Sequence, residues 1–402
     1  MKCRSLLALI LLVSTQISLA QDNSKQKVLE VYGFVMADVG YNFDQINPNW
    51  YDAMRISRLP SHENQFAPDG KVFFGVRQTR FGVRGWTQTP IGELKTTFEF
   101  DMFGVGADEG QTTMRLRHAW AEIGRFGAGQ TNSPFMDGDV WPNTVEYWGP
   151  SGMVFFRNVQ VRYAPMMGDN ELFLALERPG ASADLGSFEN RIELDSVVGQ
   201  LQLPDFSAHY KRSGKWGHIQ LAGMLRELKW KDIHKSGGYD LSDEVLGWGA
   251  HLSAVINIGK MIVFRGSYVY GEGIQNYMQD APVDIGAKEN PGNTAKPFTG
   301  KPLPVTGIHA FVDLNWSPTL CTAIGYSTVD IENTESASPS AYKMGQYAIV
   351  NLVATPFKNA MIAAEVQWGR RTNLGDGFTS DAIKLHFAFK YNFSEIFYKH
   401  AD

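Results

Sequence analysis

The residues best suited to chemistry in this sequence are arginines set among alternating polar and apolar neighbours. Arg80 and Arg84 share one face of such a run, opposite Phe81 and Val83. Gln160 and Arg162 share a face further on, Arg157 precedes them, and Arg265 and Arg371 have the same parity in later runs. Lys95 and Arg117 add cations on two more alternating segments. A guanidinium presents a planar fork of donors that holds a carboxylate bidentately. Rings of arginine or lysine around an aqueous passage favour anions. Three acids, Asp137, Asp139 and Glu146, lie in the irregular stretch between Gln130 and Arg157. Arg80, Arg84 and Arg162 facing those acids would set a transverse field across a narrow opening. The plainer reading is that the arginines pair with Glu99, Asp101, Glu365 or the loop acids and only hold structure.

Catalytic and metal chemistry are poorly represented. The nine histidines show no HExxH spacing, and Cys321 is alone once an N-terminal leader is removed. There is no GxSxG elbow, P-loop or GxGxxG pattern, so no catalytic residue, cofactor or metal is assigned. Ser and His brought together only by the fold, as in a membrane-embedded lipase, remain an alternative. Asp137-Gly138-Asp139 supplies at most half of a calcium site, because calcium takes 6–8 oxygens and the flanking residues add few. An acidic turn is the simpler account.

Strands must position these side chains. From Val28 to Phe43, Leu29, Val31, Val35, Val39 and Tyr41 oppose Glu30, Asp38 and Asn42. The same two-residue period runs through about Val72–Trp86, and then through Leu94, Phe98, Phe100 and Met102 against Lys95, Glu99 and Asp101. It persists to Ile383, Leu385, Phe387, Phe389, Tyr391 and Phe393, which oppose Lys384, His386, Lys390 and Asn392. Period two is the mark of a strand with two chemically different faces. Around Thr112–Gly124 neither face is clean. Arg115 and Arg117 share a parity with Ala119, Ala121 and Ile123, which calls for a β-bulge or for a wall that meets another subunit.

The connections alternate in length. Short ones fall near 87–92, 124–127, 166–170, 212–215, 258–260, 317–319 and 355–359. Long ones fall near 44–71, 105–111, 132–157, 179–197, 231–243, 273–303, 331–343 and 372–380. Seven short turns and eight long loops join sixteen strands. An even number of antiparallel strands, with short turns at one end and long loops at the other, is the pattern of an outer-membrane barrel. The expectation is therefore an all-β transmembrane antiparallel β-barrel of about 16 strands, with outward lipid contact. A soluble sandwich has no reason to segregate its loops by length. The long stretch from Gln130 to Arg157 contains Pro134, Pro142 and Pro150 and several aromatics, so it is stiff. Loops of this length are usually functional. This third long loop is expected to fold inside the barrel and narrow it.

Composition and termini agree. Lys2 and Arg4, an apolar Leu6–Val13 core and Ser18-Leu19-Ala20 read as a signal peptide over residues 1–20. Its core is far shorter than the roughly 20 residues of a spanning helix. Without Lys2 and Arg4 the chain has 35 Lys+Arg against 42 Asp+Glu, a net charge of −7. There is no basic stripe and no nucleic-acid footprint. Residues 21–27 would form a short periplasmic N-terminus, 28–393 the barrel, and 394–402 a periplasmic tail beyond Phe393.

Several segments carry a resemblance. RQTRFGVRG (Arg77–Gly85), LRHAWAEIG (Leu116–Gly124), GQTNSPFMD (Gly129–Asp137), VEYWGPSG (Val145–Gly152) and FRNVQVRY (Phe156–Tyr163) resemble the DcaP-like trimeric porins of Gram-negative outer membranes. LPDFSAHY (Leu203–Tyr210) and GIQNYMQD (Gly273–Asp280) resemble later segments of that family. The resemblance implies a sixteen-stranded homotrimeric porin of the outer membrane, a constricting third loop, and passage of small anionic solutes such as dicarboxylates. Two departures stand out: only about eight residues separate Ala20 from the first strand, and the chain runs past its last aromatic row as SEIFYKHAD. A barrel whose external loops bind a partner, as an adhesin or receptor, is the alternative function.

Overall fold

The structure is a computed structural model that describes residues 27–235 and 238–400. The expected signal peptide, residues 21–26 and residues 401–402 lie outside the described residues.

Sixteen antiparallel strands close into one barrel. They are β1 (Lys27–Asn42), β2 (Lys71–Gly75 continued by Arg80–Thr89), β3 (Gly92–Phe103) and β4 (Thr112–Ile123). Next come β5 (Phe126–Asn132), β6 (Arg157–Met166), β7 (Asn170–Glu177) and β8 (Asp205–Gly214). β9 (Gly217–Asp232), β10 (Asp243–Ile258), β11 (Ile262–Glu272) and β12 (Pro304–Ser317) follow. β13 (Leu320–Ile331), β14 (Tyr342–Ala354), β15 (Ala360–Asn373) and β16 (Thr379–His400) complete the wall. Each pairs with the next, and β16 returns to β1 through pairs such as Val35↔Tyr391 and Asn42↔Lys384. Closure satisfies the backbone of every strand, which lipid requires because it offers no hydrogen bonds.

Period two sorts the side chains as expected. Leu221, Leu252, Ile362 and Phe387 point outward and are about half exposed, while Gln220, His251, Glu365 and His386 point inward and are buried. The mixed parity of β4 resolves as a bulge. Glu99 pairs with His118 but Phe100 pairs with Leu116, so Arg117 is the extra residue. The bulge turns Arg115, Arg117 and His118 all toward the lumen, a standard effect of an inserted strand residue.

Two expectations change. Ser394–His400, expected as a separate tail, continue β16 and pair with β1 from Tyr32↔Ser394 to Lys27↔His400. The pairing therefore runs past the outward aromatic row that ends at Phe393. The loops were expected outside the barrel apart from the third. Instead the first loop (43–70) and part of the sixth (273–303) also enter the lumen. Ile46, Met54, Ile56 and Leu59 of the first, Phe135 and Val154 of the third, and Ile274, Tyr277 and Met278 of the sixth form one buried apolar cluster. Full burial of each such side chain contributes about 1.5–3 kcal/mol, enough to draw an irregular segment inward.

Polar clasps fix the loops. The Arg77 guanidinium pairs with Asp52 in the first loop. Asp280 of the sixth loop accepts from the Ser57 backbone N–H at 2.8 Å, from its hydroxyl, and from Arg55 at 3.3 Å. Arg226 on β9 pairs with Asp205 and Asp284, both at 3.0 Å, and donates to the Gly273 carbonyl. Outside the barrel, Ala183–Asp184, Ile285–Glu289 and Phe298–Pro302 make a small three-stranded cap.

Candidate functional site

The third loop leaves β5 and rejoins β6 through a neck closed by the Ser133 N–H to the Phe156 carbonyl, 3.0 Å. Its first half lies on the wall of β8 to β12. The Pro134 carbonyl accepts from His209 Nδ1 at 2.9 Å, the Phe135 carbonyl from His251 Nδ1 at 2.8 Å, and the Met136 carbonyl from Gln220 at 3.2 Å. Asp137 accepts from His218 Nε2 at 2.8 Å and from the Ser253 hydroxyl at 2.7 Å. Burial alone would raise the Asp137 carboxyl, but His218, Lys211 and Ser253 hold it well below the usual carboxylate range.

The second half lies on β13 to β16. There the Glu365 carboxylate accepts from the Thr144 hydroxyl at 2.8 Å and from the backbone N–H groups of Val145 and Glu146 at 2.9 and 3.0 Å. Gly152 presses against the wall, where a Cβ would meet the carbonyl oxygens of Thr328 and Ile308. Glu146 turns from the opening and accepts from the Met54 and Trp148 backbones at 2.8 and 3.0 Å. Burial pushes its carboxyl up.

Between this loop and the wall of β2 to β6 lies a cavity of about 890 Å³. Six arginines line it: Arg55 and Arg58 of the first loop, and Arg80, Arg115, Arg117 and Arg157 of the wall. Only three carboxylates, Glu99, Glu109 and Glu146, share that lining. Arg117 pairs with Glu99 at 2.7 Å and Asp101 at 2.9 Å, and Arg115 pairs with Asp101 at 2.8 Å. Tyr147 of the third loop closes this network by hydrogen bonds to Asp101 and Arg115. Arg80 Nε reaches Glu99 only at 3.6 Å and makes no hydrogen bond. Arg157 has no carboxylate partner among the described residues. It lies over the Phe155 ring at 5.0 Å, with Nη1 unpaired.

The remaining candidates lie elsewhere. Arg84 pairs with Glu30 at 3.6 Å and Lys95 with Glu93 at 3.8 Å, and neither lines the cavity. Arg162 pairs with Glu122 at 3.4 Å, between the rings of Trp120 and Phe173. Arg265 pairs with Asp313 at 2.7 Å and donates to the Asp139 carbonyl. Arg371 bonds the Ser57 carbonyl at 2.7 Å and so holds the first loop.

The expected confrontation of Arg80, Arg84 and Arg162 with Asp137, Asp139 and Glu146 is thus corrected. The arginines find carboxylates on adjacent strands, where cross-strand neighbours are close. Asp137 and Asp139 meet Lys211 of β8, on the wall where this half of the loop lies, at 3.9 and 2.6 Å. Asp137, Asp139 and His218 converge, but the Lys211 ammonium already supplies the cation for that cluster. Arg55, Arg58 and Arg115 were missed. The apolar Met54, Ile56 and Leu59 interleaved with Arg55 and Arg58 were the available signal that this loop is buried.

The sequence profile of the DcaP outer membrane protein family matches residues 12–284, more than half of the chain. Among solved structures the barrel is similar to the outer membrane channel DcaP of Acinetobacter baumannii. That likeness has 19% identity and a TM-score of 0.75, covering 91% of this chain and 97% of that one. It is also similar to the anion-selective porin from Comamonas acidovorans (10% identity, TM-score 0.58, 91% and 100% covered). OmpT of Vibrio cholerae is a third likeness (12% identity, TM-score 0.54, 94% and 100% covered). No protein of curated function matches the sequence significantly. A closed sixteen-stranded barrel with its third loop folded inward, matched over most of its length by the family profile, places the chain in the DcaP outer membrane protein family, as a porin of the Gram-negative outer membrane rather than an enzyme.

Proposed function

We propose that this porin favours small anionic solutes, carboxylates and dicarboxylates among them, by passive diffusion. The observation that supports it is the set of six arginines lining the lumenal cavity: Glu99, Asp101, Glu109 and Asp280 pair with five of them, and Arg157 has no carboxylate partner among the described residues. An anion entering there meets guanidinium donors already desolvated and aimed by aromatic rings, so little reorganisation is needed. The chain's overall acidity acts weakly on that cavity, because charges beyond about 8 Å are screened in physiological salt. The anion selectivity named for the Comamonas porin accords with the same reading. A homotrimer, exported by a signal peptide cleaved near Ala20, is the assembly that goes with it; a trimer form is described for Vibrio OmpT.

Reversal potential in a salt gradient across a planar bilayer tests the reading. Anions should permeate better than cations, and a small dicarboxylate should compete with chloride. Cation preference in the wild-type protein would end the proposal.

A further inference from the structure

We infer that this channel selects aromatic carboxylates over aliphatic ones of equal charge, at a corner of the lumenal cavity built by Trp141, Phe155 and Arg157. The inference rests on the reading of the pore as anion-favouring, and it names the kind of anion held best.

It begins with how the third loop divides its apolar residues. The valines and methionines between Gln130 and Arg157 are all buried. Among the aromatic residues of the same stretch only Phe135 is buried. Trp141, Tyr147, Trp148, Phe155 and Phe156 stay partly exposed, and all of them border the cavity. Apolar area left in water forgoes about 25 cal/mol per Å², and this loop buries the rest of its apolar side chains. Across the cavity, the wall of β2 to β6 carries arginines. One side of the passage is therefore aromatic and the other cationic.

Three of the exposed rings have structural partners. Tyr147 stacks on Phe103, with centroids 3.9 Å apart, and bonds Asp101. Trp148 donates to the Gln279 carbonyl at 3.1 Å and lies against Arg55. Phe156 packs on Tyr277, centroids 4.8 Å apart. Trp141 and Phe155 remain, meeting each other edge to face at 5.0 Å. Both rest on the buried cluster of Val140, Met153 and Val255. Gly149 backs the indole so closely that a Cβ there would overlap the ring. The pair is thus held in place before any solute arrives. Arg157, which has no carboxylate partner among the described residues, lies over the Phe155 ring at 5.0 Å.

A carboxylate carried on an aromatic ring uses both parts of this corner. Its charge takes the guanidinium donors in a charge-assisted bond. Its ring meets Trp141 and Phe155 in the offset or edge-to-face arrangement that aromatic rings prefer. An aliphatic carboxylate keeps the first interaction and loses the directed part of the second. The cavity, about 890 Å³, lies within the roughly 300–1,000 Å³ range of small-molecule sites. One aromatic contact favours its ligand by about two- to tenfold. That sets a preference without arresting the solute, and conduction requires binding weak enough to leave.

The test measures chloride current through the assembled porin in planar bilayers at neutral pH, with benzoate or cyclohexanecarboxylate added. Both are ionised there; they share charge and approximate size and differ in the flat aromatic ring. Benzoate should halve the current at about two- to tenfold lower concentration than cyclohexanecarboxylate. Trp141→Leu and, separately, Phe155→Leu should remove most of that difference. The wild-type comparison stands by itself if either variant fails to assemble. Equal block by the two acids, block by neither, or stronger block by cyclohexanecarboxylate, in a pore that still favours anions, overturns this inference alone. A benzoate preference that survives in both variants also overturns it. Cation preference overturns the reading of the pore as well.

Discussion

Two walls of the same lumen use the same alternation for different ends. Along β8 to β12, inward imidazole, amide and hydroxyl groups hold the third loop, through the carbonyls of Pro134, Phe135 and Met136 and through the Asp137 carboxylate. Along β2 to β6 they carry guanidinium and carboxylate groups, spent mainly on one another, and the loop touches them chiefly through Tyr147. The first wall is a dock. The second is left facing a water-accessible cavity with more positive than negative groups. A neutral donor suits a carbonyl, which needs no counter-charge; a guanidinium left short of carboxylates suits a mobile anion.

The largest expected effect comes from breaking the dock at Glu365. Glu365→Ala removes the acceptor of three third-loop donors. At about 1–3 kcal/mol for each donor left buried and unsatisfied, the loop should come free. Single-channel records should become noisy, and in SDS gels of samples heated stepwise the variant's barrel should unfold at a lower temperature than the wild-type barrel. Unchanged records would mean that Glu365 is not an anchor.

A smaller loss is expected at Asp137. Asp137→Asn keeps the shape but strips the charge from the bonds to His218 and Ser253, a cost of about 1–2 kcal/mol. Loop exchange rates near Phe135 should rise several-fold while those near Val145 stay put. Equal changes at both ends would erase the distinction between the two halves of the loop.

On the second wall the readout is selectivity rather than stability. Arg80→Gln with Arg157→Gln should lower the anion-to-cation permeability ratio by about fivefold per charge, if each is worth about 1 kcal/mol at 4 Å in a water-like medium. Uptake of a dicarboxylate should slow more than uptake of a neutral sugar. Equal slowing of both would make these arginines structural.

The smallest effect sharpens the contrast. Arg84 shares a strand face with Arg80 but lies outside the cavity, paired with Glu30. Arg84→Gln should leave reversal potential within error and stability within about 0.2–1 kcal/mol, the range of an exposed pair. A selectivity shift as large as that of Arg80 would show that parity, not cavity position, marks the functional residues.

Some of this was legible in particular residues. The clash of parity at Arg115 to Ala119 announced the bulge that places Arg117 in the lumen. Pro134, Pro142 and Pro150, with the aromatics between them, announced a loop with a fixed shape. The first loop misled because Asp44 to Lys71 is mostly polar, and its few apolar residues, Ile46, Met54, Ile56 and Leu59, are too scattered to show a period. The arginine partners misled because Arg80 and Asp137 have suitable charges but no local relation.

What the sequence alone determined is whatever depends on neighbours one or two residues away: which segments are strands, which face of each meets lipid, where the turns are short, and hence the barrel. Only the tertiary structure decided what lies opposite what. His209, His218 and His251 stand on three strands and meet one loop. Ser57 meets Asp280 across 223 positions. Those meetings follow from strand register and closure, and from apolar loop residues escaping water together. A period of two is read locally, but a contact across a lumen exists only once every strand between its partners has paired.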